Sequence, residues 1–145
     1  GASAFTGIFM SLDGDQLIAT WISSVGIGKW GAFAIMMAIV FVMGMFLDWL
    51  GIVMIVFPIF LPIMDMFGFD RLWIVAVTAV MLQTCFMTPP FGFALFYIKG
   101  IVPPEVKIQE IYRGVIPFIL IIIAVVVLVT IFPQVVYFLP NLVAS

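Results

Sequence analysis

Residues 72–98 contain no Asp, Glu, Lys or Arg, yet the run is cut near its far end by Thr88-Pro89-Pro90-Phe91-Gly92. At ~1.5 Å rise per residue, an uncharged run of this length is long enough to cross a bilayer as a single helix. Two adjacent prolines withdraw two backbone donors and clash with the preceding turn, so the helix has to break there. In hydrocarbon a broken backbone is tolerated only where protein covers it or where it lines a cavity. A segment that both crosses and breaks therefore calls for a packed helical membrane protein around it.

Composition agrees. The chain is 66% hydrophobic and 8% charged, with a mean hydropathy of +1.41. A soluble domain carries about a quarter charged residues, so this chain has too few to cover a water-facing surface. The fold class expected is an all-α integral membrane protein in contact with the lipid bilayer. The net charge of −2 arises from five basic and seven acidic residues and says little about partners; there is no basic patch for nucleic acid. His is absent and Cys85 is the sole cysteine, which excludes His/Cys zinc clusters, His-ligated haem and an intrachain disulfide. Cys85 reads as a small packing residue rather than a reactive thiol. No cofactor is expected. The chain starts at Gly1 in an apolar context, with nothing resembling a signal peptide, and is expected to be a carboxy-terminal piece of a longer membrane protein.

Read along its length, residues 1–12 suit the end of a spanning helix, Asp13-Gly14-Asp15 a turn, and 16–25 a short amphipathic interfacial helix anchored by Trp21 and Trp30. The region 1–29 is thus a helix end plus an interfacial helix. Two apolar runs follow, 30–47 and 49–64, with Asp48 between them and Pro58 and Pro62 weakening the second. Each is near the lower limit for spanning, so two full spans and a re-entrant hairpin over 30–66 both fit. The hairpin is the favoured reading, because a Gly44-to-Gly51 tip containing Asp48 is expensive against lipid and useful inside protein. Gly68 is expected to cap one helix end and Asp70 the next start. Residues 71–99 then form a discontinuous helix, 99–113 an aqueous loop with a short helix from Glu105, and 114–139 a terminal spanning helix ended by Pro133 and Pro140. Lys99, Lys107 and Arg113 share one loop against Lys29 and Arg71 elsewhere, which places that loop in the cytoplasm and the carboxy terminus outside.

The chemistry available is that of a cation site. Thr88 offers a hydroxyl and a carbonyl at the break. Pro89 and Pro90 free carbonyls of the preceding turn, around residues 84–87, which are hard oxygen ligands of the kind Na⁺ prefers. Gly92 permits close backbone approach and starts a half-helix whose dipole suits an anion. In membrane carriers such breaks hold ions and substrates; the plain alternative is a proline kink satisfied by neighbouring helices. Asp48 is the second candidate, costly at depth unless it faces an ion, a partner or water, and otherwise an exposed turn residue. Gln83 and Thr84 read first as interhelical hydrogen-bond partners. Phe91, Phe93, Phe96 and Tyr97 read as lipid-facing or packing surface. No His base, nucleophile elbow or nucleotide loop is present, so an enzyme is not expected.

Three segments in this order and spacing carry a family resemblance: Gly44-Met45-Phe46-Leu47-Asp48, Phe57-Pro58-Ile59-Phe60-Leu61-Pro62 and Thr88-Pro89-Pro90-Phe91-Gly92. With Arg113-Gly114-Val115-Ile116-Pro117-Phe118, Phe132-Pro133 and Leu139-Pro140 they resemble the large membrane subunit of TRAP transporters (tripartite ATP-independent periplasmic transporters, DctM-like), over its carboxy-terminal third. The resemblance implies a secondary carrier with an elevator-type mobile domain built from inverted repeats, each with a hairpin and a discontinuous helix. It implies Na⁺ as coupling ion, and Gly44, Asp48, Thr88, Pro89 and Gly92 as the candidate Na⁺ site, partly through backbone carbonyls. It further implies organic-acid substrates of the C4-dicarboxylate kind. The partners implied are the rest of the large subunit, a small membrane subunit and a periplasmic binding protein, all at a bacterial inner membrane.

Overall fold

The computed structural model describes residues 1–24, 26–90 and 92–144, the side chains of Ala2, Ser23, Leu139 and Ala144 excepted. Val25, read above as the end of the amphipathic helix, and Phe91, in the break and the aromatic cluster, lie outside the described residues. The helices among the described residues are α1 Ala2–Ser11, α2 Gly14–Ser24, α3 Lys29–Gly44, α4 Trp49–Met66, α5 Arg71–Leu82, a 3₁₀ turn Gln83–Phe86, α6 Phe93–Ile101, α7 Ile108–Ile131 and α8 Gln134–Ala144.

The centre is a layer of three helices, α3, α4 and α5. At one end of the layer Trp30 and Phe33 of α3 meet Phe69 and Trp73, with Trp73 stacked on Phe69 at 5.5 Å and 8° between ring planes. At the other end Gly44 of α3 meets Cys85 beyond α5. Helices α3 and α5 therefore run parallel, and α4 returns between these ends through the short connection 45–48. Ala32, Met36, Val40, Ile52, Val56, Ile63, Ile74 and Val77 are essentially inaccessible and form the seam. In lipid this seam is held by close packing rather than by removal of apolar area from water.

Local chemistry sets the boundaries. Asp48 caps α4, Oδ1 accepting from the Gly51 N–H at 3.3 Å, and Asp70 caps α5, Oδ1 accepting from the Trp73 N–H at 3.0 Å. Gly68, at φ +71°, takes the left-handed conformation that ends α4. Pro58 and Pro62, expected to weaken the second apolar run, lie inside a continuous α4. Pro58 leaves the Met54 carbonyl without its usual donor, and the buried Thr6 hydroxyl of α1 reaches that oxygen at 3.5 Å. The proline gap in α4 is thus also where α1 docks.

The amphipathic stripe of α2 splits between two environments. Ala19 and Ile22 are buried, whereas Leu17 and Trp21 are exposed. The short helix expected from Glu105 and the separate span expected over 114–139 are not what forms. A single helix, α7, runs from Ile108 through Gly114 and Pro117, its start fixed by the Glu110 carboxylate accepting from the Lys107 N–H at 3.1 Å. It ends at Ile131, because Pro133 cannot donate to the last turn, and a distinct α8 follows. Helix α7 returns alongside α5, the Trp73 indole donating to the Val129 carbonyl at 3.3 Å, and its first turns pack on Leu95 of α6 through Ile111 and Val115.

Helices α4 and α7 are long and apolar enough to cross a membrane. Most of α7 faces outward: Phe118, Leu120, Ile121, Val127 and Leu128 are all exposed. An apolar face of this extent is unsustainable in water. At the opposite end from α6, the Tyr137 hydroxyl donates to Asp70 at 2.8 Å, tying α8 to the start of α5. The Trp73 N–H foremost, and then this hydroxyl, hold the Asp70 carboxyl below its usual range. A depressed folded pKa stabilises above the unfolded value and loses that contribution as pH falls through the folded one. Asp70→Ala is expected to lower the Tm of the full-length parent at pH 7. The gap between variant and wild type should narrow only below about pH 4, the ordinary carboxylate range; a melting series from pH 7 to pH 3 checks it.

Candidate functional site

The break in residues 71–99 is built in three steps. Helix α5 tightens into the 3₁₀ turn Gln83–Phe86, the backbone turns over residues 87–90, and α6 restarts behind Gly92. The Pro89–Pro90 peptide bond is cis. In an uninterrupted helix the carbonyls of Cys85 and Phe86 would accept from residues 89 and 90, and prolines have no N–H to give them.

The Thr84 carbonyl closes the helical stretch. It accepts from the Met87 N–H at 3.0 Å, the Thr88 N–H at 2.9 Å and the Thr88 hydroxyl at 2.7 Å. With three donors converging on it, this oxygen is committed to the turn. The carbonyls expected to be free around 84–87 therefore do not include that of Thr84. Thr84 itself is fully buried and donates its hydroxyl to the Met81 carbonyl at 2.7 Å. Thr88 is buried too; its hydroxyl hydrogen is spent on Thr84, while its oxygen lone pairs stay available to a cation. The Thr88 carbonyl accepts from the Gly92 N–H at 3.1 Å, which bridges the two sides of the break.

Gly92 is required by proximity. A Cβ at this position would lie 2.9 Å from the Phe86 carbonyl oxygen and 3.0 Å from the Met87 carbonyl carbon, both backbone atoms. Gly44, on the hairpin side, is buried against the same turn, where a Cβ would lie 2.3 Å from the Cys85 sulfur. The fold thus seats the α3–α4 tip on the residues just before the break. Pro89, between them, is half-buried.

Asp48 is placed differently. Its side chain is exposed and caps α4. Gln83 is likewise exposed, lining a groove between α4 and α5 with Trp49, Val53, Phe57 and Phe86, so Gln83 and Thr84 do not share a cavity. The hydrogen bond of Thr84 is not interhelical either, since its hydroxyl bonds within its own turn. Cys85, which sequence reasoning left as packing, is the contact that joins tip to break. Its position three residues before Thr88 and the small Gly44 were the available signals. Among the described residues no group of His, Cys, Asp and Glu side chains could hold a metal ion. A cation here would be held by carbonyl and hydroxyl oxygens.

Spanning helices with outward apolar faces, and a central helix broken inside packed protein, define an all-helical integral membrane protein with a discontinuous helix at its heart. The family described as the DctM component of tripartite ATP-independent periplasmic transporters matches residues 1–135. The chain belongs to this family, one of transporter components and not of enzymes. It is 33% identical over 105 residues to the sialic acid TRAP transporter permease protein SiaT of Haemophilus influenzae, covering 72% of this chain and 17% of that protein. It is 27% identical over 126 residues to the C4-dicarboxylate TRAP transporter large permease protein DctM of Pseudomonas aeruginosa, covering 87% and 29% respectively. With the ectoine/5-hydroxyectoine TRAP transporter large permease protein UehC of Ruegeria pomeroyi it shares 29% identity over 127 residues, 86% of this chain and 29% of that protein. The chain therefore spans less than a third of the length of these relatives.

Proposed function

We propose that this chain is the carboxy-terminal third of the large subunit of a Na⁺-coupled secondary carrier for an organic acid, and that the hairpin tip and the helix break close together around the coupling ion. The observation that carries the reading is the seating of Gly44 against Cys85, which brings a hairpin tip to a break rich in oxygen ligands. The names of the relatives, given for sialic acid, C4-dicarboxylates and ectoine, support small polar organic substrates.

The length of α3 supports the re-entrant form of the hairpin, while α4, at 18 residues, is long and apolar enough to cross. Helix α3, with 16 residues, is ~24 Å long, short of the ~30 Å hydrocarbon core, whereas α7, with 24 residues, is ~36 Å. The tip stops level with the break, and α6 adds a further nine residues, ~13 Å, to complete the crossing. The hairpin and the discontinuous helix then belong to the mobile part of an elevator-type carrier, with the first inverted repeat supplied by the rest of the subunit. The end of α6 and the connection to α7, carrying Lys99 and Lys107, face the cytoplasm; the carboxy terminus is periplasmic. A small membrane subunit and a periplasmic binding protein complete the assembly in the bacterial inner membrane.

The Na⁺ site takes the hydroxyl oxygen of Thr88, carbonyls released by Pro89 and Pro90, and the approach afforded by Gly44 and Gly92, with Asp48 supplying negative charge from the tip. Thr88→Ala is expected to weaken apparent Na⁺ affinity about tenfold, the equivalent of one contact worth ~1.4 kcal/mol. Asp48→Asn preserves the helix cap, since Asn and Asp cap equally well, and removes only the charge. It should weaken Na⁺ affinity by a similar factor with near-normal expression. Na⁺ titrations of uptake check both, and unchanged half-saturation in both variants would remove the site assignment. A purely structural subunit, the rival reading, requires that outcome.

A further inference from the structure

Cys85 lies on the 3₁₀ turn at 4% exposure, and the hairpin tip rests on it. A Cβ on Gly44 would stand 2.3 Å from the Cys85 Sγ, 3.3 Å from its Cβ and 3.4 Å from its Cα, so the backbone of α3 approaches this one side chain as closely as a glycine allows. We infer that Cys85 is a positioning residue whose volume sets how closely the tip at residues 44–48 approaches the break at Thr88–Gly92, and through that distance the apparent affinity for the coupling cation. The inference rests on the cation reading above.

The argument turns on which side of the contact can yield. The turn that carries Cys85 is tied down on both sides. Thr84 receives three donors on its carbonyl and spends its own hydroxyl on Met81, while Gly92 lies against the carbonyl group of Phe86. The tip has the lighter tie: the Met43 carbonyl accepts from the Phe46 and Leu47 N–H groups, two donors against the three on Thr84, and the side chains of residues 46–48 are exposed. A side chain larger than Cys at position 85 therefore displaces the tip and leaves the turn in place. A smaller one leaves a gap into which the tip can settle. Interiors are close-packed, and a difference of one heavy atom is felt. A displacement of ~1 Å at a ligand shell can cost about a hundredfold in function. The sulfur is a soft, weakly polar atom that makes no demand for a partner here, whereas larger apolar side chains demand space.

The test uses the full-length parent with its partner subunits in proteoliposomes, and reads the Na⁺ concentration for half-maximal uptake, the maximal rate and the Tm. Gly44→Ala alone is expected to raise the half-saturating Na⁺ concentration about tenfold. Cys85→Ala in the same chain removes the 2.3 Å clash and leaves the 3.3 Å contact between β-carbons; it should restore half-saturation to within about threefold of wild type. Cys85→Val alone should mimic Gly44→Ala. Additive effects of Gly44→Ala and Cys85→Ala, or a Cys85→Val variant with unchanged Na⁺ dependence, would overturn the positioning role. Wild-type uptake indifferent to Na⁺ would instead overturn the cation reading. In that case the Tm values of wild type, Gly44→Ala, Cys85→Ala and the double variant still decide whether residues 44 and 85 are coupled: non-additivity supports the seat and additivity removes it.

Discussion

Gly92→Ala is expected to abolish uptake by the full-length parent, to below about one hundredth of wild type, while membrane insertion and expression stay close to normal. The reason is local. The added methyl would meet the Phe86 carbonyl oxygen at 2.9 Å and the Met87 carbonyl carbon at 3.0 Å. Neither atom is the end of a flexible side chain, so the backbone itself has to move. The movement falls on the loop whose two sides are joined by the Thr88 carbonyl and the Gly92 N–H. Overpacking of this kind costs ~1–3 kcal/mol, which a protein of this class can survive. The geometry of the break cannot, because its carbonyls and the Thr88 hydroxyl change their mutual positions together. Uptake assays with size-exclusion chromatography of the solubilised variant separate the two effects. Near-normal uptake by Gly92→Ala would mean that the break is a structural kink only.

Gly44→Leu has the second large effect. Alanine at this position already brings a Cβ to 2.3 Å from the Cys85 sulfur, and leucine adds a branched side chain beyond that Cβ. The tip must then lift from the turn. Uptake should fall at least about fiftyfold, and the Na⁺ requirement should rise in whatever activity remains. Ala38→Leu, six residues earlier on α3, is the control. Ala38 lines an open apolar groove with Ile35 and Val42, so added bulk there should leave uptake within about twofold. Equal losses at the two positions would show that Gly44 has no special relation to the break.

Much of this arrangement was legible in the chain, for identifiable reasons. Pro89-Pro90 in an uncharged run forces a break wherever the helix goes, and Gly68 and Asp70 mark a helix end and start because their backbone and capping chemistry are local. Other features were not, because they depend on partners distant in sequence. Pro58 reads as a weak point in its run, and the donor that Thr6, from α1, supplies to the Met54 carbonyl is not visible in the chain. Gly114 and Pro117 suggest a boundary, yet α7 runs through both. The Thr84 carbonyl looks like a freed ligand in sequence and becomes the most heavily bonded oxygen of the turn once Thr88 folds back onto it. The segments were legible, since Gly44 falls at the α3–α4 connection and Thr88 and Gly92 at the break. The contact was not legible, because nothing in spacing alone pairs Gly44 with Cys85 forty residues on. Asp48 shows the limit from the other side: its charge between two apolar runs draws attention, while its visible work is to cap α4.

The most direct measurement is uptake of labelled organic acids by the full-length parent, reconstituted with its small subunit and binding protein, with and without an inward Na⁺ gradient. Uptake that needs both the binding protein and Na⁺, and that Thr88→Ala shifts to higher Na⁺ concentration, is the predicted result. Uptake of equal rate and extent without Na⁺ would contradict the account, leaving the break and the hairpin tip as architecture without a coupling ion.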